Sequence, residues 1–230
     1  MTQFMSNSLF FGAAISLIAY EAGLLLKRKF KMAIFNPLLI AIIAVIAVLC
    51  LLHIDYDTYN QSGQYISYLL TPATVCLAVP LYQQMELLKK NLKAVVIGIV
   101  SGVLASLVSV LILAKLFRLS HEQYVTLLPK SITTAIGMGV SEVLGGIVTI
   151  TVAVIIITGV LGNMVAETVI KLAHIEEPIA KGLALGTSSH AIGTAKAMEL
   201  GEIEGAMSSL AIAVAGMLTV VGASVFAQFM

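Results

Sequence analysis

The residues that could do chemistry are ionisable and hydroxyl side chains set inside apolar runs. Leu128-Pro129-Lys130-Ser131-Ile132-Thr133-Thr134 places one cation and three hydroxyls in close succession. Proline is favoured just inside a new helix, where its missing N–H would have no partner anyway. The free N–H groups and positive dipole end of such a half-helix attract an anion, and Lys130 would add a full charge. The competing reading is a lysine that snorkels from a helix end to the interface.

A second cluster, Gly186-Thr187-Ser188-Ser189-His190-Ala191-Ile192-Gly193-Thr194, is the most polar part of any apolar run. Its hydroxyls and imidazole could bind a carboxylate or relay a proton. The alternative is a helix-packing seam of small residues with a structural histidine. His190 alone fits the seam, whereas the whole cluster fits the site. Thr71 and Thr74 accompany Pro72 and Pro80 in a third run. The candidate substrate-binding residues are therefore Thr71, Thr74, Lys130, Ser131, Thr133, Thr134, Thr187, Ser188, Ser189, His190 and Thr194. Lys196, Glu142 and Glu199 are further ionisable groups in these runs, and such groups at membrane depth are functional candidates. Glu21 and Glu167 lie near ends of smoother runs and read as headgroup anchors.

No enzyme signature accompanies these residues. His-Glu-x-x-His, Gly-x-Ser-x-Gly, Cys-x-x-Cys and phosphate-loop spacings are all missing from the sequence. Cys50 and Cys76 fit no disulfide or metal spacing. The expectation is a protein that is not an enzyme and takes no metal or cofactor.

The elements that must hold these residues are membrane helices. Of 230 residues, 59% are hydrophobic and 11% charged, while a soluble domain carries about 25% charged residues. Thirteen Lys and Arg against twelve Asp and Glu leave +1, with no basic face for nucleic acid. The predicted fold is an all-α polytopic membrane protein, one transmembrane domain over 1–230. Its eight or so hydrophobic segments are 8–26, 34–53, 66–87, 93–116, 122–145, 147–171, 180–199 and 205–229. Segments 66–87, 122–145 and 180–199 carry the Pro, Gly and hydroxyl clusters that weaken a helix, so they are predicted to be broken or re-entrant. Irregular backbone at that depth must be buried in protein or face a watery cavity. Leu69, Leu127 and Leu185 open the three polar stretches at a spacing of 58. That spacing suits an internal repeat, and equally suits two membrane segments with their loops.

Basic residues crowd 27–31 and 89–93, and the 54–65 loop carries only Asp55 and Asp57. The positive-inside rule makes both basic loops cytoplasmic. The run before Lys27-Arg28-Lys29 does not read as a cleavable signal, because its charges follow it. If every segment crossed fully, Lys115, Arg118, Lys171 and Lys181 would lie outside, which points to at least one re-entrant segment. Gly98-x-x-x-Gly102 is a close-packing motif that reads first as plain helix packing; the smooth spans, notably 93–116 with these glycines, are the expected subunit contact in a homo-oligomer.

Four motifs resemble the LrgB/CidB family. They are Asn36-Pro37-Leu38-Leu39, Pro72–Ala78 with Pro80-Leu81-Tyr82, Leu128–Thr134, and Lys181–Ala195, in order along nearly the whole chain. Lys130–Thr134 and Thr194-Ala195-Lys196 look more like the CidB side. The resemblance implies a multi-pass protein of the bacterial plasma membrane. It also implies a holin/antiholin-type role in murein hydrolase regulation and cell lysis with a small holin-like partner. Plant relatives, which join both halves in one chain, imply carriage of small carboxylates such as glycolate or pyruvate; this chain matches only the second half. Read together, the residues and the resemblance make a carboxylate carrier the first expectation and a holin-associated regulator the second.

Overall fold

The computed structural model describes residues 10–30, 32 and 35–230. Residues 8–9 of the first predicted segment, 34 of the second, Lys31 of the first basic cluster and the side chain of Thr74 lie outside what is described. Among the described residues the fold is helical throughout, 85% helix without strands. Four helical stretches are long and apolar enough to cross a membrane: Tyr56–Gln83, Leu92–Phe117, Val148–Leu172 and Glu202–Phe229. These make a polytopic all-α protein.

The chain divides into two compact units, Met1–Cys76 and Leu77–Met230. The first holds α1 (Phe11–Phe30), α2 (Pro37–Leu51), α3 (Tyr56–Ser67) and α4 (Leu70–Cys76). Asn36 and Pro37 start α2 as their types dictate. The Asn36 side chain accepts from the N–H groups of Leu38 and Leu39, and proline takes a position that needs no donor. The 54–65 loop is corrected to a helix, α3. Its polar sequence hides it from a hydropathy reading, but it is held to α1 by hydrogen bonds. The Gly12 N–H donates to Ser62 Oγ at 2.7 Å, and Ser16 pairs with Tyr59 at 2.8 Å.

The second unit holds α5 (Ala78–Gln83), α6 (Met85–Lys90), α7 (Leu92–Phe117), α8 (His121–Leu127), α9 (Thr134–Val143), α10 (Val148–Leu172), α11 (Pro178–Leu200) and α12 (Glu202–Phe226), with a 3-10 turn over Ala227–Phe229. Three smooth helices, α7, α10 and α12, carry two helical hairpins.

The first hairpin is α8, an unwound stretch over 128–133, and α9. Its mouth closes on itself: Thr126 Oγ1 accepts from the Ile147 N–H, and Thr151 Oγ1 donates to the Thr126 carbonyl and to Ser141 Oγ. Tyr124 O–H donates to the Phe226 carbonyl, so this mouth sits at the C-terminal end of α12. The second hairpin is α11 folded at Ser189 and His190, whose backbone leaves the helix. A Cβ on Gly193 would strike the Leu185 carbonyl, and Leu185 and Ala197 share a cluster with Ala166. The two arms therefore run antiparallel. Lys171, Lys181, Leu200 and Glu204 line one cavity at its mouth, at the N-terminal end of α12.

The two hairpins thus enter from opposite ends of the same three helices. This resolves the charge tension in the sequence. Neither segment 122–145 nor 180–199 crosses, so Lys171 and Lys181 fall at the same end as Lys89, Lys90 and Lys93, with Lys115 and Arg118 at the other. Segment 66–87 is interrupted at single residues, Leu77 and Gln84, between α4, α5 and α6.

Candidate functional site

The hairpin tips reach the middle of α7 and α10. Along one face of α7, Gly98, Gly102 and Ser106 recur every four residues, hence one above another. A Cβ on Gly98 would strike Leu183 Cδ1 at 2.8 Å, and one on Gly102 would strike Thr187 Oγ1 at 2.6 Å. Both glycines are therefore occupied by the second hairpin. The motif thus serves helix packing within the chain. One turn further on, Ser106 Oγ donates to Ser131 Oγ at 3.0 Å. Thr187 of one hairpin and Ser131 of the other thus touch α7 at positions four residues apart, ~6 Å of helix rise.

Helix α10 repeats the arrangement. Gly137 of the first hairpin faces Ile155. The Nε2–H of His190, at the second tip, donates to the Ile155 carbonyl at 2.9 Å. A Cβ on Gly159 would strike the His190 ring at 2.7 Å, and Gly162 makes room for Ser189. Asn163 Nδ2 donates to the Ile192 carbonyl at 3.0 Å. His190 has φ +42°, a conformation that costs a non-glycine residue about 1–3 kcal/mol and persists only where its surroundings hold it.

Of the sequence candidates, the structure seats Ser131 against α7 at the first tip with Lys130 beside it, and in the second hairpin it seats Thr187 against α7, Ser189 and His190 against α10, and Thr194 against α12. Lys130 Nζ donates to Ser131 Oγ at 3.0 Å. Ser131, Thr187, Ser189, His190 and Thr194 are buried. The Thr187 hydroxyl donates back to the Leu183 carbonyl. Thr194 Oγ1 pairs with Ser208 Oγ at 2.7 Å. Ser188 pairs with Ser189 Oγ at 3.1 Å, but its own side chain is exposed. Thr133 precedes α9 as its N-cap without a side-chain cap bond, and Thr134 is its first residue; both are half-buried. Thr71 is exposed in the first unit, on α4.

Sequence reasoning missed Ser106 and Ser208, which lie in smooth helices and carry no local signal. It also missed the ion pairs that Glu167 makes near the end of α10. Glu167 binds Lys196 Nζ at 2.6 Å and faces Lys171 at 3.9 Å, and Glu199 binds Lys196 at 3.0 Å. The Lys196 side chain is 10% exposed, its carboxylates about half. That lysine is neutralised. Lys130, among the described residues, has no carboxylate within ion-pair distance. The described residues bring no three His, Cys, Asp or Glu side chains together to hold a metal. Chemically, the tips offer one positive charge, several hydroxyls and no acid–base pair: an arrangement for holding a small polar or anionic solute.

A family model described as the LrgB-like family matches residues 16–229. The sequence is 40% identical over 221 residues, covering 96% of each chain, to proteins named "Antiholin-like protein LrgB" from Bacillus mycoides (strain KBAB4), Bacillus cereus (strain B4264) and Bacillus anthracis (strain CDC 684 / NRRL 3495). No solved structure matches.

Proposed function

The chain belongs to the LrgB-like family, and on that premise we propose that it is an antiholin-like protein of the bacterial plasma membrane. In this reading it restrains murein hydrolase activity and cell lysis, together with a small holin-like membrane partner. The observation that carries it is the near full-length identity to relatives named antiholin-like. The test is deletion of the gene from its host and complementation, with and without the holin-like partner. Zymogram activity and detergent-induced lysis should rise on deletion and fall back on complementation. Unchanged hydrolase activity in both would contradict the reading. The strings Lys130–Thr134 and Thr194–Lys196 support the CidB side of the family, while the relatives' names do not separate the branches.

A second reading is favoured by one specific feature, Lys130 at the first polar tip with no carboxylate within ion-pair distance among the described residues. It is that the protein carries a small carboxylate such as pyruvate or glycolate. A charge at membrane depth is costly and is kept for a task. In a site from which water is largely excluded, a lysine and hydroxyls can replace the hydration shell of an anion. Purified protein in liposomes should then take up labelled pyruvate or glycolate. A regulator acting only through its partner should take up neither.

A further inference from the structure

We infer that the second unit is an alternating-access core, in which the two hairpins are the gates of one central compartment and open to opposite faces in turn. This rests on the carrier reading and adds how access is controlled.

The first ground is inverted repetition. The first hairpin followed by α10 and the second hairpin followed by α12 are the same unit twice. α10 and α12 run in opposite directions, because the hairpin mouths sit at opposite ends of α12. The tips keep the spacing seen in the sequence: Ser131 and Ser189 are 58 residues apart. Two inverted copies of one unit can each adopt the packing the other shows, which supplies two conformations facing opposite ways from a single fold.

The second ground is how each tip is held. The first tip is unwound over 128–133 and meets α7 through Ser106–Ser131. The second is unwound at Ser189 and His190 and meets α10 through Ile155 and Asn163. It is further fixed through Thr194–Ser208 and Lys196–Glu167. Both tips are thus held: Leu128, Ser131 and Ile132 of the first are buried and Gly137 behind them packs on Ile155 of α10, while the second is bonded to α10 and α12. Each hairpin closes one face, and access to both faces requires the two to release in turn.

The third ground is the absence of spanning backbone at the centre. Neither hairpin crosses, so the polar tips stand between two half-depth layers, each closed by one hairpin.

The test uses the full chain in membrane vesicles, with Cys50→Ser and Cys76→Ser to remove the free thiols. Ser188→Cys probes the second tip and Lys130→Cys the first, with a charged, membrane-impermeant maleimide applied to either face. Two locks are made separately, Ser106→Cys/Ser131→Cys and Thr194→Cys/Ser208→Cys. Their hydroxyl oxygens stand 3.0 and 2.7 Å apart. With each lock reduced, the probes should label from both faces. Oxidising the first lock should cut labelling of Ser188→Cys from the Arg118 face by at least about tenfold while leaving the Lys89–Lys93 face open. Oxidising the second lock should do the reverse for Lys130→Cys. Labelling from one face only or from neither, or labelling that neither lock alters, would overturn the inference. Alternating labelling without uptake of labelled pyruvate or glycolate would leave the gates standing and remove the carboxylate reading. Uptake with one-sided, lock-insensitive labelling would do the opposite.

Discussion

Lys130 and Lys196 stand side by side in the sequence as equals, each a lysine beside hydroxyls in a broken apolar segment. In the structure they are opposites. Lys196 lies in the returning arm of the second hairpin, clasped by Glu167 on α10 and by Glu199 one turn along its own arm. Lys130 lies at the tip of the first hairpin and donates to a neighbouring hydroxyl. The difference shows where charge is structural and where it is available. Glu167 satisfies Lys196 and pins a hairpin to a spanning helix, at a desolvation cost that its half-exposed carboxylates keep small. Among the described residues nothing comparable offsets Lys130, and in the carrier reading its charge is left for a solute.

The largest expected effect follows from that contrast. Lys130→Met keeps the stem and removes the charge. Losing a hydrogen bond from a charged group, about 1.5–3 kcal/mol, should reduce pyruvate or glycolate uptake by about tenfold to a hundredfold at equal protein in the membrane. Lys196→Met should leave uptake within about threefold. A matched fall in the two variants would erase the distinction.

Stability should reverse the order. Breaking a buried pair by removing one partner costs about 3–5 kcal/mol, but exposure of Glu167 and Glu199 discounts this to about 1–2 kcal/mol for Lys196→Met. That is a fall in Tm of roughly 2–8 °C for a chain of this size, read by thermal unfolding in detergent. Lys130→Met should hold or raise Tm. Sharper still is coupling. Glu167→Gln with Lys196→Met should depart from additivity by about 0.5–3 kcal/mol, while Glu167→Gln with Lys130→Met should add to within about 0.5 kcal/mol. The smallest effect expected is that of Ser131→Ala, which removes a neutral acceptor. A loss of about 0.5–1.5 kcal/mol corresponds to a two- to twelve-fold drop in uptake.

Much of the scaffold was legible in the sequence, because membrane helices are written in hydropathy and breaks are written in residue type. Pro129 and the Gly186–Thr194 cluster marked both interruptions, and of the three stretches spaced by 58 residues those opened by Leu127 and Leu185 form the hairpins. Direction was not legible. A polar break reads the same whether the chain continues across or turns back; the turn at Ser189 and His190 is decided by what the arms meet, Gly159 and Gly162 on α10 and Ser208 on α12. For the same reason Gly98 and Gly102 signalled close packing without naming the partner. Helix α3 escaped because it is stabilised by Ser62 and Tyr59 against α1 and has little apolar content. Ser106, Ser208 and Glu167 escaped because their roles depend on residues distant in the chain.

Entry of the two hairpins from opposite faces is the feature on which all else depends, and single-cysteine labelling of intact cells and inverted vesicles reads it out. Cysteines at Ser120 and Gly145 flank the first hairpin, and cysteines at Glu176 and Gly201 flank the second. Both members of the first pair should label from outside the cell only, and both members of the second from the cytoplasmic side only, the side of Lys89–Lys93. Ser120 and Gly145 labelling from opposite faces, or Glu176 and Gly201 doing so, would make that segment a full crossing and contradict the account.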